Sequence, residues 1–150
     1  MFKDIVVGTD GSDTAARAVQ MAADLAAASG AVLHIVSVAK PVSQTAVALA
    51  ETSPSGAGLG QAQAQDDAAR AVHELLKRAA EAVATRVPTV ETYARFGNPA
   101  EILCEFSDQV RADLLVVGNR GMTGGRRFLG SVPNSVSHHA HCSVLIANTT

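Results

Sequence analysis

The 150-residue chain has no tryptophan and one tyrosine, and aromatic residues make up 3% of it. So few rings cannot build a surface on which single-stranded bases stack. Its two cysteines, Cys104 and Cys142, are too few for a framework of disulfide staples, and such usage points to a reducing compartment. A dominant charge is missing too. Lys+Arg 12 against Asp+Glu 14 gives a formal net charge of -2, which argues against nucleic acid or an anionic membrane as the main partner. No apolar run approaches bilayer-spanning length, and Met1-Phe2-Lys3-Asp4 enters a strand-like run without a signal-peptide pattern. The expectation is a cytoplasmic chain with no nucleic-acid and no membrane partner. What is present excludes disorder: 47% of the residues are hydrophobic and 17% charged. The length suits a single domain over residues 1–150 with one real core. Alanine is abundant, and small residues suit helices that sit close against a sheet.

Short β-rich runs alternate with helical patterns. Ile5-Val6-Val7 reads as a strand, followed by the turn-like Gly8-Thr9-Asp10-Gly11-Ser12. Ser12 is a natural N-cap for a helix whose inner face is Ala15, Val19, Ala22, Ala23 and Ala26, with Asp13, Arg17, Gln20 and Asp24 on the other side. Ser29-Gly30 stops it. Val32 to Val38 is apolar at nearly every position, as in strands buried on both faces of a parallel sheet. Residues 41–62, rich in Gly, Pro, Ser and Thr, read as a long irregular connection, the habit of lids and binding loops. A second helix follows with Ala68, Val72, Leu75, Leu76, Ala79 and Val83, then a strand around Thr89 to Ala94. Asn98-Pro99 with Glu101 opens a third helix striped by Ile102, Leu103, Phe106 and Val110. Leu114 to Val117 and Val144 to Ala147 are the last strands, around a short helix from about Ser131 to Ala140. The order βαβαβαβαβ indicates an open α/β sheet, whose ligand crevice lies beyond the carboxyl ends of the strands.

Two loops there carry unusual residues. The segment from Gly118 to Ser131 holds five glycines in fourteen residues and feeds a helix that Ser131 can cap. Unpaired N–H groups and the positive helix end make such a loop an anion site, with Arg120, Arg126 and Arg127 available to phosphate. The alternative is a flexible turn with solvated arginines. Asp10 ends the first strand beside Gly8 and Gly11. Its carboxylate can accept from ribose hydroxyls or hold a divalent cation beside phosphates. Alternatively it bonds its own backbone in an Asx-turn.

Ile-Val-Val-Gly-Thr-Asp-Gly-Ser at 5–12, Val-Val-Gly-Asn-Arg-Gly at 116–121 and Gly-Ser-Val-Pro at 130–133 resemble the universal stress protein family. The resemblance spans almost the whole chain. It implies a Rossmann-like domain, similar to the adenine nucleotide alpha hydrolases. Its open five-stranded parallel sheet would run in the order 3-2-1-4-5 with helices on both faces, usually as a homodimer. The family's nucleotide-binding branch carries Gly-x2-Gly-x9-Gly-(Ser/Thr). Here Gly118 and Gly121 match, and Gly130-Ser131 match in type across eight intervening residues, so the loop is one residue short. By the same resemblance Gly8, Thr9 and Asp10 belong to the nucleotide site, with Asp10 reaching ribose and a phosphate-bridging Mg²⁺. Val38 reads the adenine edge through its backbone, Val117 and Gly118 line the pocket, and Arg120, Gly121, Gly130, Ser131 and Val132 serve the phosphates. Some members with a similar pattern favour cyclic AMP over ATP, and a shortened loop is compatible with the smaller ligand. Both ligands stay open.

Other constellations are weaker. His138, His139, His141 and Cys142 invite a zinc reading, but no second cluster supplies a spaced partner set, and histidines suit a helix C-terminus. His34 reads as a partnered sheet residue and His73 as solvated. Gly56-x-Gly58-x-Gly60 lacks the strand and spacing of a dinucleotide fingerprint. Tyr93-Ala94-Arg95 stands where a phosphorylation receiver needs an acid, and no P-loop lysine is present. A nucleotide-binding stress-response module is the leading expectation, with no catalytic residue assigned. Two others are a slow nucleotide hydrolase lacking an evident base, and a ligand-free dimeric scaffold pairing through the edge strand Val144–Ala147.

Overall fold

Consecutive β-branched residues at 5–7 favour an extended backbone, and β1 (Asp4–Gly8) forms there with Ile5, Val6 and Val7 wholly buried. The computed structural model describes residues 1–39, 57–119 and 131–149, with backbone alone at 57–62 and 131. Its elements follow as α1 (Asp13–Ser29), β2 (Val32–Ala39), α2 (Ala57–Glu81), β3 (Val90–Phe96), α3 (Pro99–Gln109), β4 (Leu114–Gly118), α4 (Ser131–His139) and β5 (Ser143–Ala147). The five strands form one parallel sheet in the order β3-β2-β1-β4-β5, as the resemblance implies. Helices α1 and α2 pack on one face, and α3 and α4 on the other.

The helix boundaries have local causes. Ser12 Oγ accepts from the Ala15 N–H at 3.2 Å, and Gly30 closes α1 in the left-handed conformation at φ 69°. Asn98 Oδ1 accepts from the N–H groups of Ala100 and Glu101 at 3.1 and 3.3 Å, with Pro99 at N1. The inner face of α1 is Ala18, Val19, Ala22, Ala23 and Ala26; Ala15, expected there, is half-buried instead. Four alanines on that face let the helix lie close to the sheet.

Several expected boundaries and faces need correction. The irregular connection was expected to run to residue 62, but α2 already begins at Ala57, so Gly58 and Gly60 are helical. Each glycine costs about 1 kcal/mol in a helix, yet propagation from an established helix adds a hydrogen bond per residue. The remainder of that connection, including Pro41, Pro54 and Gly56, lies outside the described residues. Ala68 is exposed, and the inner face of α2 starts at Val72. The strand expected around Thr89 to Ala94 runs from Val90 to Phe96, because Arg95 and Phe96 continue the ladder against Val38 and Ala39. On α3, Cys104 and Ser107 are buried while Ile102 and Val110 are half-buried. Ser131 is the first residue of α4 rather than its cap.

His34 is 5% exposed, and its Nε2 meets Asp4 Oδ1 at 3.0 Å. Its Nδ1 lies 3.5 Å from Glu91 Oε2 and makes no hydrogen bond among the described residues, and the ring stands edge-on to Phe106. Asp113 ties the start of β1 to the start of β4: its Oδ2 accepts from the N–H groups of Lys3 at 2.6 Å and Asp4 at 3.1 Å. Those bonds, the Lys3 one foremost, hold its carboxyl below the ordinary carboxylate range. A lowered native value stabilises the fold above that range and loses the contribution as pH falls through it. Urea titrations of Asp113→Asn are expected to show a shallower loss of stability than the parent between about pH 4 and 2. Equal slopes would contradict this. Asn98→Ala is expected to cost about 1 kcal/mol in the same assay.

Candidate functional site

Beyond the carboxyl ends of β1 and β4, where the strand order reverses, lies a cleft of about 350 Å³. Every helix that follows a parallel strand starts at this edge, so helix N-termini converge on the cleft. Its walls include Thr14 and Ala15 from the first turn of α1, Pro99 at N1 of α3, and Val132 and Pro133 from the first turn of α4. Three positive dipole ends and their first-turn N–H groups favour negative charge there. The remaining lining is Gly8, Thr9, Asp10, Ser12, Val36, Val38, Leu103, Val117 and Gly118. Val36, Val38, Leu103, Val117 and Val132 make an aliphatic wall, suited to a flat apolar ring, and among the described lining residues no side chain is aromatic.

Two glycines beside the cleft sit against leucine side chains. A Cβ on Gly8 would stand 2.9 Å from Leu103 Cδ1, so its absence lets Leu103 approach the cleft floor. Gly11 has φ 79°, and a Cβ there would meet Leu75 Cδ1 at 2.5 Å. Between them, Thr9 donates its N–H to Val36 O at 2.9 Å and accepts from the Gly11 N–H through Oγ1 at 3.2 Å. Asp10 Oδ1 accepts from the Ser12 N–H at 2.9 Å. The residue that forms the Asx-turn is thus also a lining residue of the cleft, and it lines the neighbouring cavity as well.

Of the residues expected in a nucleotide site, the structure brings Gly8, Thr9, Asp10, Val38, Val117, Gly118 and Val132 together around this cleft. Ser131 opens α4 immediately before Val132. Arg120, Gly121 and Gly130, like Arg126 and Arg127, lie outside the described residues. Sequence reasoning missed Ser12, read only as a helix cap, and Thr14, Ala15, Val36, Pro99, Leu103 and Pro133. The signal for most of them was available: a helix after a parallel strand must present its first turn at the carboxyl edge.

A larger cavity, of about 500 Å³, opens on the other side of the Thr9–Gly11 turn, between α1 and α2. It is lined mainly by Ala16, Val19, Ala71, Leu75, Ala79 and Ala82, with Gln20, Glu74 and Arg78 among the polar residues. It receives the sides of helices rather than their N-termini, and so lacks the converging donors of the first cleft. At the end of α4, His139 Nδ1 meets Ser135 O at 2.8 Å, and His141 Nδ1 meets Asp108 Oδ2 at 2.9 Å. Among the described residues no group of three or more His, Cys, Asp or Glu is placed to hold a metal ion. Burial, followed by the charge of Asp108, pushes the Cys104 thiol up. Burial also raises Cys142. Among the described residues no helix is long and apolar enough to cross a membrane.

The model of the universal stress protein family matches residues 1–148. The chain belongs to the universal stress protein family. A universal stress protein of Mycobacterium tuberculosis is 40% identical over 153 residues, covering 99% of this chain and 98% of the relative. A crystal structure described as a universal stress protein in complex with cAMP superposes with a TM-score of 0.73 at 33% identity, covering 99% of this chain and 98% of that one. The universal stress protein from Archaeoglobus fulgidus in complex with dAMP, at 24% identity, shares the fold with a TM-score of 0.68 over 96% of both chains.

In this universal stress protein domain, Gly11→Ala is expected to destabilise by about 1–3 kcal/mol in urea unfolding, because it combines a left-handed φ with a clash against Leu75. A variant as stable as the parent would show that the turn relaxes without cost.

Proposed function

We propose that this chain binds an adenine nucleotide in the cleft between β1 and β4 and acts as a regulatory module. The observation that carries the reading is the cleft itself. Residues from the ends of three strands and the starts of three helices surround a volume of about 350 Å³ that combines an aliphatic wall with helix N-termini. The base would lie against Val36, Val38, Leu103 and Val132. Asp10 would accept from ribose hydroxyls, and phosphate would face the α4 N-terminus and the segment from Gly118 to Ser131. The 33% identical structure described with cAMP supports cyclic AMP as the first ligand to try, with ATP second. The donor set also fits the nucleotide better than a resident metal. Asp10 is the one carboxylate among the described lining residues, so Mg²⁺ would be held jointly by Asp10 and the ligand's own phosphates.

The same proposal covers assembly. Among the described residues β5 is an edge strand, with Val144, Leu145 and Ile146 half-buried. An edge with apolar side chains pairs readily across a two-fold axis, so a homodimer through Val144–Ala147 accompanies the binding reading. A single cytoplasmic domain is part of it.

Calorimetric titration with cyclic AMP, AMP and ATP, with and without Mg²⁺, tests the reading. Saturable binding of at least one nucleotide is expected, weakened about tenfold or more by Asp10→Ala with the circular dichroism unchanged. Equal affinity in the variant would remove Asp10 from the site. A parent that binds none of the three would leave the dimeric scaffold as the better reading.

A further inference from the structure

Asn119 follows the last residue of β4 and is only 4% exposed, while Thr149, near the end of the chain, is 2% exposed. Burying an amide side chain costs free energy unless its groups find partners, and here they all come from one short segment. Asn119 Oδ1 accepts from the Thr149 N–H at 3.0 Å and from the Thr149 hydroxyl at 2.6 Å. Its Nδ2 donates to Asn148 Oδ1 at 3.2 Å, and its backbone N–H donates to Ala147 O at 3.0 Å. One residue thereby binds three consecutive residues, Ala147 at the end of the β4–β5 ladder and the two that follow it.

The segment is anchored on its far side as well. Arg17 Nη1 donates to Thr149 O at 2.9 Å, tying it to α1, whose first turn lines the cleft. Thr149 Cγ2 lies 3.5 Å from the place a Cβ on Gly118 would occupy, and Gly118 is itself a cleft residue. The ladder between β4 and β5 ends at Gly118 and Ala147, and beyond it these bonds hold the chain where it leaves the sheet.

We infer that the Asn148–Thr149 segment braces the Gly118–Asn119 exit of β4, and that Thr149 and Arg17 are positioning residues for the phosphate end of the cleft. Neither contributes to the cleft wall. They set the approach of the backbone that does, and through β5 they link it to the sheet edge offered for pairing. The affinity part of this inference rests on the nucleotide reading; the brace does not.

The test compares Thr149→Val, which keeps the shape and removes the hydroxyl, with Thr149→Ser, which restores it. In the ligand-free protein, Thr149→Val is expected to speed amide hydrogen exchange at Asn119 and Thr149 by about five- to thirtyfold, with β1 amides unchanged and Thr149→Ser near the parent. Affinity for cyclic AMP is expected to fall by a similar factor, while affinity for adenosine, which has no phosphate, stays within about twofold. Unchanged exchange at Asn119 would overturn the brace. Equal weakening of adenosine and cyclic AMP would overturn the positioning role, since it would report general damage. If Thr149→Val does not fold, Arg17→Met, made at an exposed side chain, gives the same readouts with a smaller expected effect of about threefold; no effect there would overturn the anchoring. A parent that binds no adenine nucleotide contradicts the nucleotide reading alone, and exchange at Asn119 still decides the brace.

Discussion

β1 is hydrogen-bonded in parallel to β2 on one side and to β4 on the other, and the rest of the molecule depends on that double pairing. A parallel neighbour cannot be reached by a hairpin, so each pairing forces a crossover, and a right-handed crossover fixes the face its helix covers. The chain works outward from β1 through β2 to β3, then returns to place β4 and β5 on the opposite side. Two helices therefore cover each face, and α1 and α4, which follow β1 and β4, lie on opposite faces. The space they leave is the cleft. It is a consequence of strand order, which is why its floor is made of strand ends and its rim of helix first turns.

The composition follows from the same constraint. A strand buried on both faces needs helices at close range, and Ala18, Ala22, Ala23 and Ala26 on α1 allow that approach. With one tyrosine and four phenylalanines in the chain, the apolar lining of the cleft among the described residues is Val, Leu, Ala and Pro without a ring. A base bound there would be gripped by aliphatic contact and backbone hydrogen bonds. The near-balanced charge is consistent with this, since attraction for an anion comes from helix ends and needs no basic surface.

Features set by local chemistry were legible in the sequence. Ser12, Asn98 and Gly30 act within four residues of themselves, and all three cap as their types dictate. The alternation of runs indicated the parallel sheet, and the family resemblance supplied its order. What could not be read depends on partners distant in sequence. β3 extends to Phe96 because β2 offers a ladder as far as Ala39, and nothing in Tyr93-Ala94-Arg95 says so. The start of α2 was hidden because Gly58 and Gly60 look like breakers while the helix beyond them propagates backward. In the site, Asp10, Val38, Gly118 and Val132 were legible from the motifs. Leu103 was not, since its place on the wall follows from the packing of α3 on β1. The bond between Asn119 and Thr149 spans 30 residues and exists only through the register of β4 on β5.

The central claim is that the cleft at the β1–β4 switch, and no other surface, receives an adenine nucleotide. Amide chemical-shift mapping during titration with cyclic AMP tests it most directly. The account predicts saturable shifts concentrated at Gly8, Thr9, Asp10, Val38, Gly118 and Val132, with the amides along Ala71–Ala82 on the other side of the Thr9–Gly11 turn unmoved. Shifts centred on Ala71, Leu75 and Ala79, or none at saturating ligand, would contradict it.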